Sequence, residues 1–84
     1  MDEQDEKDER KKMTTTDMIR ILQAGGSLHI DCKRHSVLEL IRLSMAMRNP
    51  KSMLVLENPS VLSVTDRIRI SMAGKGVVLF NEIV

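Results

Sequence analysis

The chain has 84 residues, 42% of them hydrophobic and 30% charged, and a formal net charge of +1 at pH 7. A chain of this length forms at most one domain, and so small a net charge provides no field that would attract nucleic acid or a membrane surface. One Phe and one Cys leave almost no means of stacking bases on aromatic rings and no means of forming an internal disulfide.

The first twelve residues, MDEQDEKDERKK, contain six acids and four bases and no aliphatic residue after Met1. Such a segment cannot bury enough apolar surface to offset its ordering entropy, so 1–12 is predicted to be a disordered charged tail and 13–84 a single domain. This start lacks the apolar core of a signal peptide, and no apolar run reaches the length of a membrane span. We therefore expect a cytoplasmic protein that has no membrane partner.

One short phrase occurs three times, as TTTDMIRIL from Thr14, SVLELIRLS from Ser36 and SVTDRIRIS from Ser63. Self-similarity at a spacing of a few tens of residues is typical of repeat architectures. Each copy begins with Ser or Thr and carries Asp or Glu three residues later. That spacing predicts a helix N-cap, in which the hydroxyl accepts a hydrogen bond from the amide of the third helical residue.

The first copy predicts an amphipathic helix over 15–24, because its apolar residues fall on one side at 100° per residue. Gly25 and Gly26 end this helix, and the alternation in 27–31 then predicts a strand. Leu28 and Ile30 lie on the inward face of that strand, and His29 lies on the outward face.

The second and third copies predict the same order of elements. The helix that starts after Ser36 stops before Asn49-Pro50 and precedes a strand over 53–57, and the helix that starts after Ser63 precedes a strand over 77–80. Leu28 comes four residues after Ala24, and Val77 comes four residues after Ala73. On this spacing Val77 and Leu79 are predicted to face inward.

Three helix–strand pairs with short connections predict an α/β fold with a small parallel sheet in strand order 1-2-3 and the helices on one face. The sequence thus indicates three repeat units stacked as a short solenoid.

The segments LVLENPSVLSVTDRIRI and AGKGVVLF resemble the leucine-rich-repeat class, and in particular short bacterial repeats of a strand, a small loop and a capped helix. The resemblance extends over 14–80. It implies a scaffold that binds other proteins and performs no chemistry of its own.

Two motifs could carry chemistry, but neither is favoured. His29, Asp31, Cys32 and His35 lie within seven residues, yet a structural zinc site needs four ligands and the chain has no second pair. Gly74-Lys75-Gly76 follows a helix, whereas a phosphate-binding loop precedes one, so a turn that ends the helix is favoured. We expect no catalytic residue, no metal site, no cofactor and no enzymatic activity.

An arginine recurs at the same position of each copy, as Arg20, Arg42 and Arg69. Each follows an acid by three residues, so solvated ion pairs on the helix surface are favoured. The alternative is a row of arginines that binds an anion.

The outward face of the sheet gives the strongest indication of function. In a sheet with one open face, each strand normally alternates apolar inward residues with polar outward residues. MLVL and VVLF are instead apolar at every position. The predicted interface comprises His29, Met53, Val55, Val78 and Phe80, and its expected partner is a second copy or another protein. The hypothesis is therefore a non-enzymatic interaction module that self-associates through this face. The alternative is a nucleic-acid-binding or regulatory protein that uses the three arginines, although the charge does not favour nucleic acid.

Overall fold

The computed structural model describes residues 13–84, so the predicted tail lies outside the described residues. The elements are, in chain order, α1 Thr15–Gln23, β1 Leu28–Asp31, α2 Val37–Ala46, β2 Met53–Glu57, α3 Val64–Met72 and β3 Val77–Phe80. A 3₁₀ turn follows each of the first two strands, at Cys32–Arg34 and at Pro59–Val61. The prediction of three helices and a parallel three-stranded sheet in the order β1-β2-β3 is confirmed.

The three predicted N-caps are present. Thr14, Ser36 and Ser63 each accept a 3.1 Å hydrogen bond through the side-chain oxygen from the backbone amide three residues ahead. At Thr14 and Ser36 the acid at that position completes a capping box by accepting a hydrogen bond from the cap's own amide. These bonds satisfy amides that the helix leaves unpaired, so the repeated phrase sets where each helix begins.

The core lies between the helices and one face of the sheet. Parallel pairing aligns Leu28 with Leu54 and Leu54 with Val78, and it aligns Ile30 with Leu56 and Leu56 with Phe80. The helices supply further side chains that are fully buried, namely Leu22, Leu40, Leu43 and Ile70. The opposite face of the sheet carries no helix of the described residues.

The predicted orientation of β3 is wrong by one residue. Val77 and Leu79 are 46% and 47% exposed, whereas Val78 and Phe80 pack against the core. Val77 pairs with Met53, one residue before Leu54, the inward residue that the predicted register places beside it. The Val77 amide accordingly donates a 2.8 Å hydrogen bond to the carbonyl oxygen of Ser52. Because side chains alternate along a strand, a shift of one residue exchanges its two faces.

The cause of this shift lies in the turn between α3 and β3. A Cβ at Gly74 would overlap the carbonyl oxygen of Ser44, so α2 and α3 approach each other closely where α3 ends. The amide of Lys75 then donates a 2.8 Å hydrogen bond to the carbonyl oxygen of Met47. This turn therefore uses one residue more than the turn after α1, and the first inward residue of β3 is Val78.

Neighbouring helices contact each other through specific polar groups. Thr15 Oγ donates to Glu39 Oε2 at 3.1 Å between α1 and α2. Ser44 Oγ donates to the carbonyl oxygen of Ile70 at 2.6 Å between α2 and α3, and this bond is buried. Leu38 and Met45 of α2 are apolar but 59% and 58% exposed.

The register of β3 can be tested with two adjacent valines. Val78→Lys should lower the free energy of unfolding by about 1.5 to 3 kcal/mol, because it replaces an apolar side chain that packs against the core. Val77→Lys is the matched control and should change that free energy by less than about 0.5 kcal/mol. Urea denaturation of both variants measures the difference. Equal losses, or a larger loss for Val77→Lys, would contradict the observed register.

Candidate functional site

The candidate site is the open face of the sheet, formed by the outward residues of its three strands. These are His29 and Asp31 from β1, Met53, Val55 and Glu57 from β2, and Val77 and Leu79 from β3. Three of the apolar members are well exposed, with 37% for Met53, 46% for Val77 and 47% for Leu79. The amino-terminal half of the face is thus apolar, and its carboxyl-terminal end is polar.

Three of the five predicted interface residues lie on this face. His29, Met53 and Val55 point outward, as predicted, while Val78 and Phe80 lie on the buried side. Val77 and Leu79 take their places. The alternation in the sequence could not reveal this, because every residue of β3 is apolar. The spacing gave no signal of this exchange either, since Val77 lies four residues after Ala73 just as Leu28 lies four residues after Ala24.

A polar cluster occupies the carboxyl-terminal end of the open face. Glu57 Oε2 accepts a hydrogen bond from Asn81 Nδ2 at 2.6 Å and also contacts His29 Nε2. Asp31 Oδ1 accepts from Asn58 Nδ2 at 2.8 Å and from the backbone amide of Lys33 at 2.9 Å. The carboxyl ends of parallel strands lie at the same edge of a sheet, which brings these side chains together.

The sequence pattern predicts neither asparagine as part of the site. Asn58 follows β2 in the left-handed conformation, with φ 55°, which asparagine tolerates better than most residues. Asn81 follows β3, where the pattern predicts no element. An asparagine directly after a strand was the only signal for either.

These hydrogen bonds stabilise the ionised carboxylates. The Asn81 amide, and after it His29, lower the pKa of Glu57, and the Asn58 amide, followed by the Lys33 backbone amide, lowers the pKa of Asp31. A general acid or base works best with a pKa near the operating pH, and both shifts move away from neutrality. The cluster is therefore suited to hold the strand ends together and to form a polar rim.

Different environments surround His29, Cys32 and His35, which are spaced as H-x-x-C-x-x-H in the sequence. Cys32 is 3% exposed within the core, and burial raises the pKa of its thiol, which disfavours the nucleophilic thiolate. His29 lies on the open face, and His35 Nδ1 lies 3.8 Å from Glu39. Among residues 13–84, no group of three or more His, Cys, Asp and Glu side chains is placed to hold a metal ion.

The three arginines are exposed on the helices. Arg69 lies 3.9 Å from Asp66, as the spacing predicts. Within the described residues the corresponding pairs of Arg20 and Arg42 do not form, because Asp17 and Glu39 accept hydrogen bonds from the capping residues. All three arginine side chains are therefore exposed to solvent.

A groove that the sequence does not indicate runs beside β1, which is an edge strand. Its volume is about 520 Å³. Its apolar lining comes from Met13, Met18, Leu28 and Ile30, and its polar lining from His29, Asp31, Arg34 and His35. Met18 and Ile30 are nearly buried, at 7% and 6% exposure, so the groove reaches the core from the first edge of the sheet.

No known family model, curated protein or solved structure matches this chain. No helix among residues 13–84 has both the length and the apolar character needed to cross a membrane.

The polar cluster predicts a measurable titration. Asn81→Ala removes the Nδ2 donor and should raise the pKa of Glu57, because the ionised carboxylate loses the hydrogen bond that lowers this pKa most. Nuclear magnetic resonance titration of the Glu57 carboxyl carbon measures this change. Glu39 is the internal control, since its pKa is lowered by the Ser36 amide and should not move. An unchanged pKa at Glu57 would show that this bond does not form in solution.

The same shift makes stability depend on pH. The folded-state pKa of Glu57 is below its unfolded value, so the stabilisation is fully present above about pH 4.3 and is lost as the pH falls through the folded value. The free energy of unfolding should therefore decrease below about pH 4, and this decrease should be smaller in Glu57→Gln. Urea denaturation at a series of pH values measures it. Parallel pH profiles for Glu57→Gln and the wild type would contradict the assignment.

Proposed function

We propose that this protein is a non-enzymatic interaction module that associates with a second copy of itself through the open face of its sheet. The observation that carries the proposal is the apolar block formed by Met53, Val55, Val77 and Leu79. In the parallel register Met53 is beside Val77 and Val55 is beside Leu79, so the four side chains are contiguous. Parallel sheets are usually covered on both faces, and here the second cover is missing from the described residues.

A second copy fits this face chemically. It would present the same apolar block, and burying side chains of this kind is worth about 1.5 to 3 kcal/mol each when burial is complete. The polar cluster at the end of the face already satisfies its own hydrogen bonds. It can therefore remain at the rim of an interface without leaving Asp31 or Glu57 unpaired.

The size of the face limits the strength of this association. Three strands of about four residues cover roughly 13 Å by 14 Å, or about 200 Å² per copy. A stable interface buries about 800 Å² on each partner. We therefore expect a weak dimer whose population rises with concentration.

The proposal includes the interpretation of the three helix–strand pairs as stacked units of a short solenoid. Its support is the short sequence phrase that occurs three times, each time with an N-cap, together with the resemblance to leucine-rich repeats. Solenoids of this kind present their sheets as extended binding surfaces. A binding role for the open face agrees with that architecture.

The alternative function, nucleic-acid binding through Arg20, Arg42 and Arg69, has weaker support. Arg69 already lies next to Asp66, and the whole chain has a net charge of only +1. Phosphate contacts weaken steeply as salt rises, whereas apolar contacts do not. The change in binding affinity between low and high salt therefore separates the two functions: a large loss indicates phosphate contacts, and a small change indicates apolar contacts.

The proposal predicts the effect of lysine substitutions on association. Val55→Lys and Leu79→Lys should reduce the concentration-dependent rise in molar mass, because each places a charge in the apolar block and thereby removes the contribution of the open face. Sedimentation equilibrium over a wide concentration range at two salt concentrations measures that rise. Leu38→Lys is the matched control, since Leu38 is 59% exposed on the helix layer, and it should associate like the wild type. A wild-type protein whose mass stays monomeric up to millimolar concentration would overturn self-association through this face.

A further inference from the structure

The contact between α2 and α3 uses one side of α2. Ser44 donates its buried hydrogen bond to α3 from this side, and helical spacing places Val37 and Ile41 beside Ser44. Both of these residues are half-buried and pack against the core. The side of α2 that faces α3 therefore presents Val, Ile and Ser at fixed positions after the N-cap.

The same residue types occur at the same positions of α3, where they are exposed. Counted from the N-caps Ser36 and Ser63, the equivalents are Val64, Ile68 and Ser71. Val64 is 70% exposed and Ile68 is 52% exposed, and the adjacent Met72 is 78% exposed. Within the described part of the chain no further helix follows α3. This side of α3, which we call the tail surface, is a helix-packing surface without a helix on it.

A matching surface exists at the other end of the molecule. The part of α3 that receives Ser44 comprises the Ile70 carbonyl, Ala73 and Gly74, and α1 has Ile21, Ala24 and Gly25 at the corresponding positions. A Cβ at Gly25 would meet Asn49 Nδ2 at 3.5 Å and no helix backbone, so no helix approaches Gly25 as α2 approaches Gly74. This side of α1, which we call the head surface, has no neighbouring helix among residues 13–84.

We propose that the tail surface of one copy packs on the head surface of the next and reproduces between two chains the contact that α2 makes with α3. Ser71 Oγ now donates a 2.7 Å hydrogen bond to the carbonyl oxygen of Arg67 in its own helix. In the assembly its hydroxyl donates instead to the carbonyl oxygen of Ile21 in the neighbouring copy, as Ser44 does to Ile70. That oxygen already accepts a 2.9 Å hydrogen bond from the Gly26 amide, and its second lone pair would receive Ser71. No new type of contact is needed.

The edges of the sheet support the same arrangement. β3 is an edge strand without Pro or charge from Val77 to Phe80, and such edges pair readily with another strand. If β3 pairs with β1 of the next copy in the register that joins the strands within one chain, Leu79 lies beside His29 of that copy and Phe80 lies beside its Ile30. The groove lies beside β1, so the edge of β1 is accessible to an added strand. Met13 and Met18, which line the groove, would cover the inward side chains of that strand.

The other candidate occupant of the groove is the segment that precedes Met13. Residues 1–12 contain no aliphatic side chain after Met1, so they offer little to an apolar groove. A second copy offers both an apolar helix side and a strand edge, and the observations therefore favour the second copy.

A head-to-tail contact joins two different surfaces and does not close by itself, so it produces open chains of copies or a ring. Each added copy would also extend the sheet and hence its open face. The proposal is independent of association through that face, because it uses the two ends of the molecule.

Complementation between two variants tests the proposal. Ile68→Arg blocks the tail surface and Ala24→Arg blocks the head surface, while each leaves the other surface intact. All proteins are full-length and carry Val55→Lys, so that the open face makes no contribution, and circular dichroism checks their folding. Leu38→Arg is the matched control for an exposed apolar residue of the helix layer.

The expected result is specific to a head-to-tail contact. The parent and the Leu38→Arg control should form species larger than a dimer as concentration rises, and each end variant alone should lose about tenfold or more in affinity and remain monomeric. An equimolar mixture of the two end variants should form a one-to-one dimer and stop there, because one good tail meets one good head. A monomeric parent, a monomeric mixture, or an end variant that still forms large species would overturn the proposal.

Discussion

Leu54 and Leu56 of the central strand are both fully buried, and they align the inward residues of the strands on either side. This packing holds three short strands under three helices and places all three helices on one face of the sheet. The chain has no further element among the described residues with which to cover the other face. An asymmetric molecule with one buried and one open sheet face follows directly from that constraint.

The open face and the two ends are consequences of the same shortage of covering elements. In solenoid proteins each helix side is covered by the next helix, and each strand edge by the next strand. Here α3 ends the row with Val64 and Ile68 exposed, and β1 begins it with a groove that reaches Met18 and Ile30. The association that we propose would cover these surfaces.

The last helix also shows how the carboxyl-terminal end of the core is completed. Arg67 stands at the position that Met18 and Leu40 hold in the other helices. Its guanidinium makes two hydrogen bonds to Glu82, at 3.0 and 3.1 Å, and one of 2.8 Å to the carbonyl oxygen of Pro59. It also lies 5.8 Å from the centroid of the Phe80 ring, within the range of a cation–π contact. A charged side chain thus replaces an aliphatic one and ties the residues after β3 to the core.

Local chemistry in the sequence determined most of the fold. The capping residues Thr14, Ser36 and Ser63 act on amides three residues away, and the strands at 53–57 and 77–80 have the predicted bounds. Short helix-containing connections then require parallel strands in sequential order. These features depend on neighbours in the chain, so the sequence alone was sufficient for them.

Only the tertiary structure decided which way β3 faces and which residues form the candidate site. VVLF is apolar throughout, so its register depends on the close approach of Gly74 to Ser44, a contact between helices that the spacing from Ala73 could not show. The same contact exchanged Val78 and Phe80 for Val77 and Leu79 on the open face. Asn58, Asn81 and the groove along β1 likewise arise from segments distant in the chain, and no local pattern encodes such neighbours.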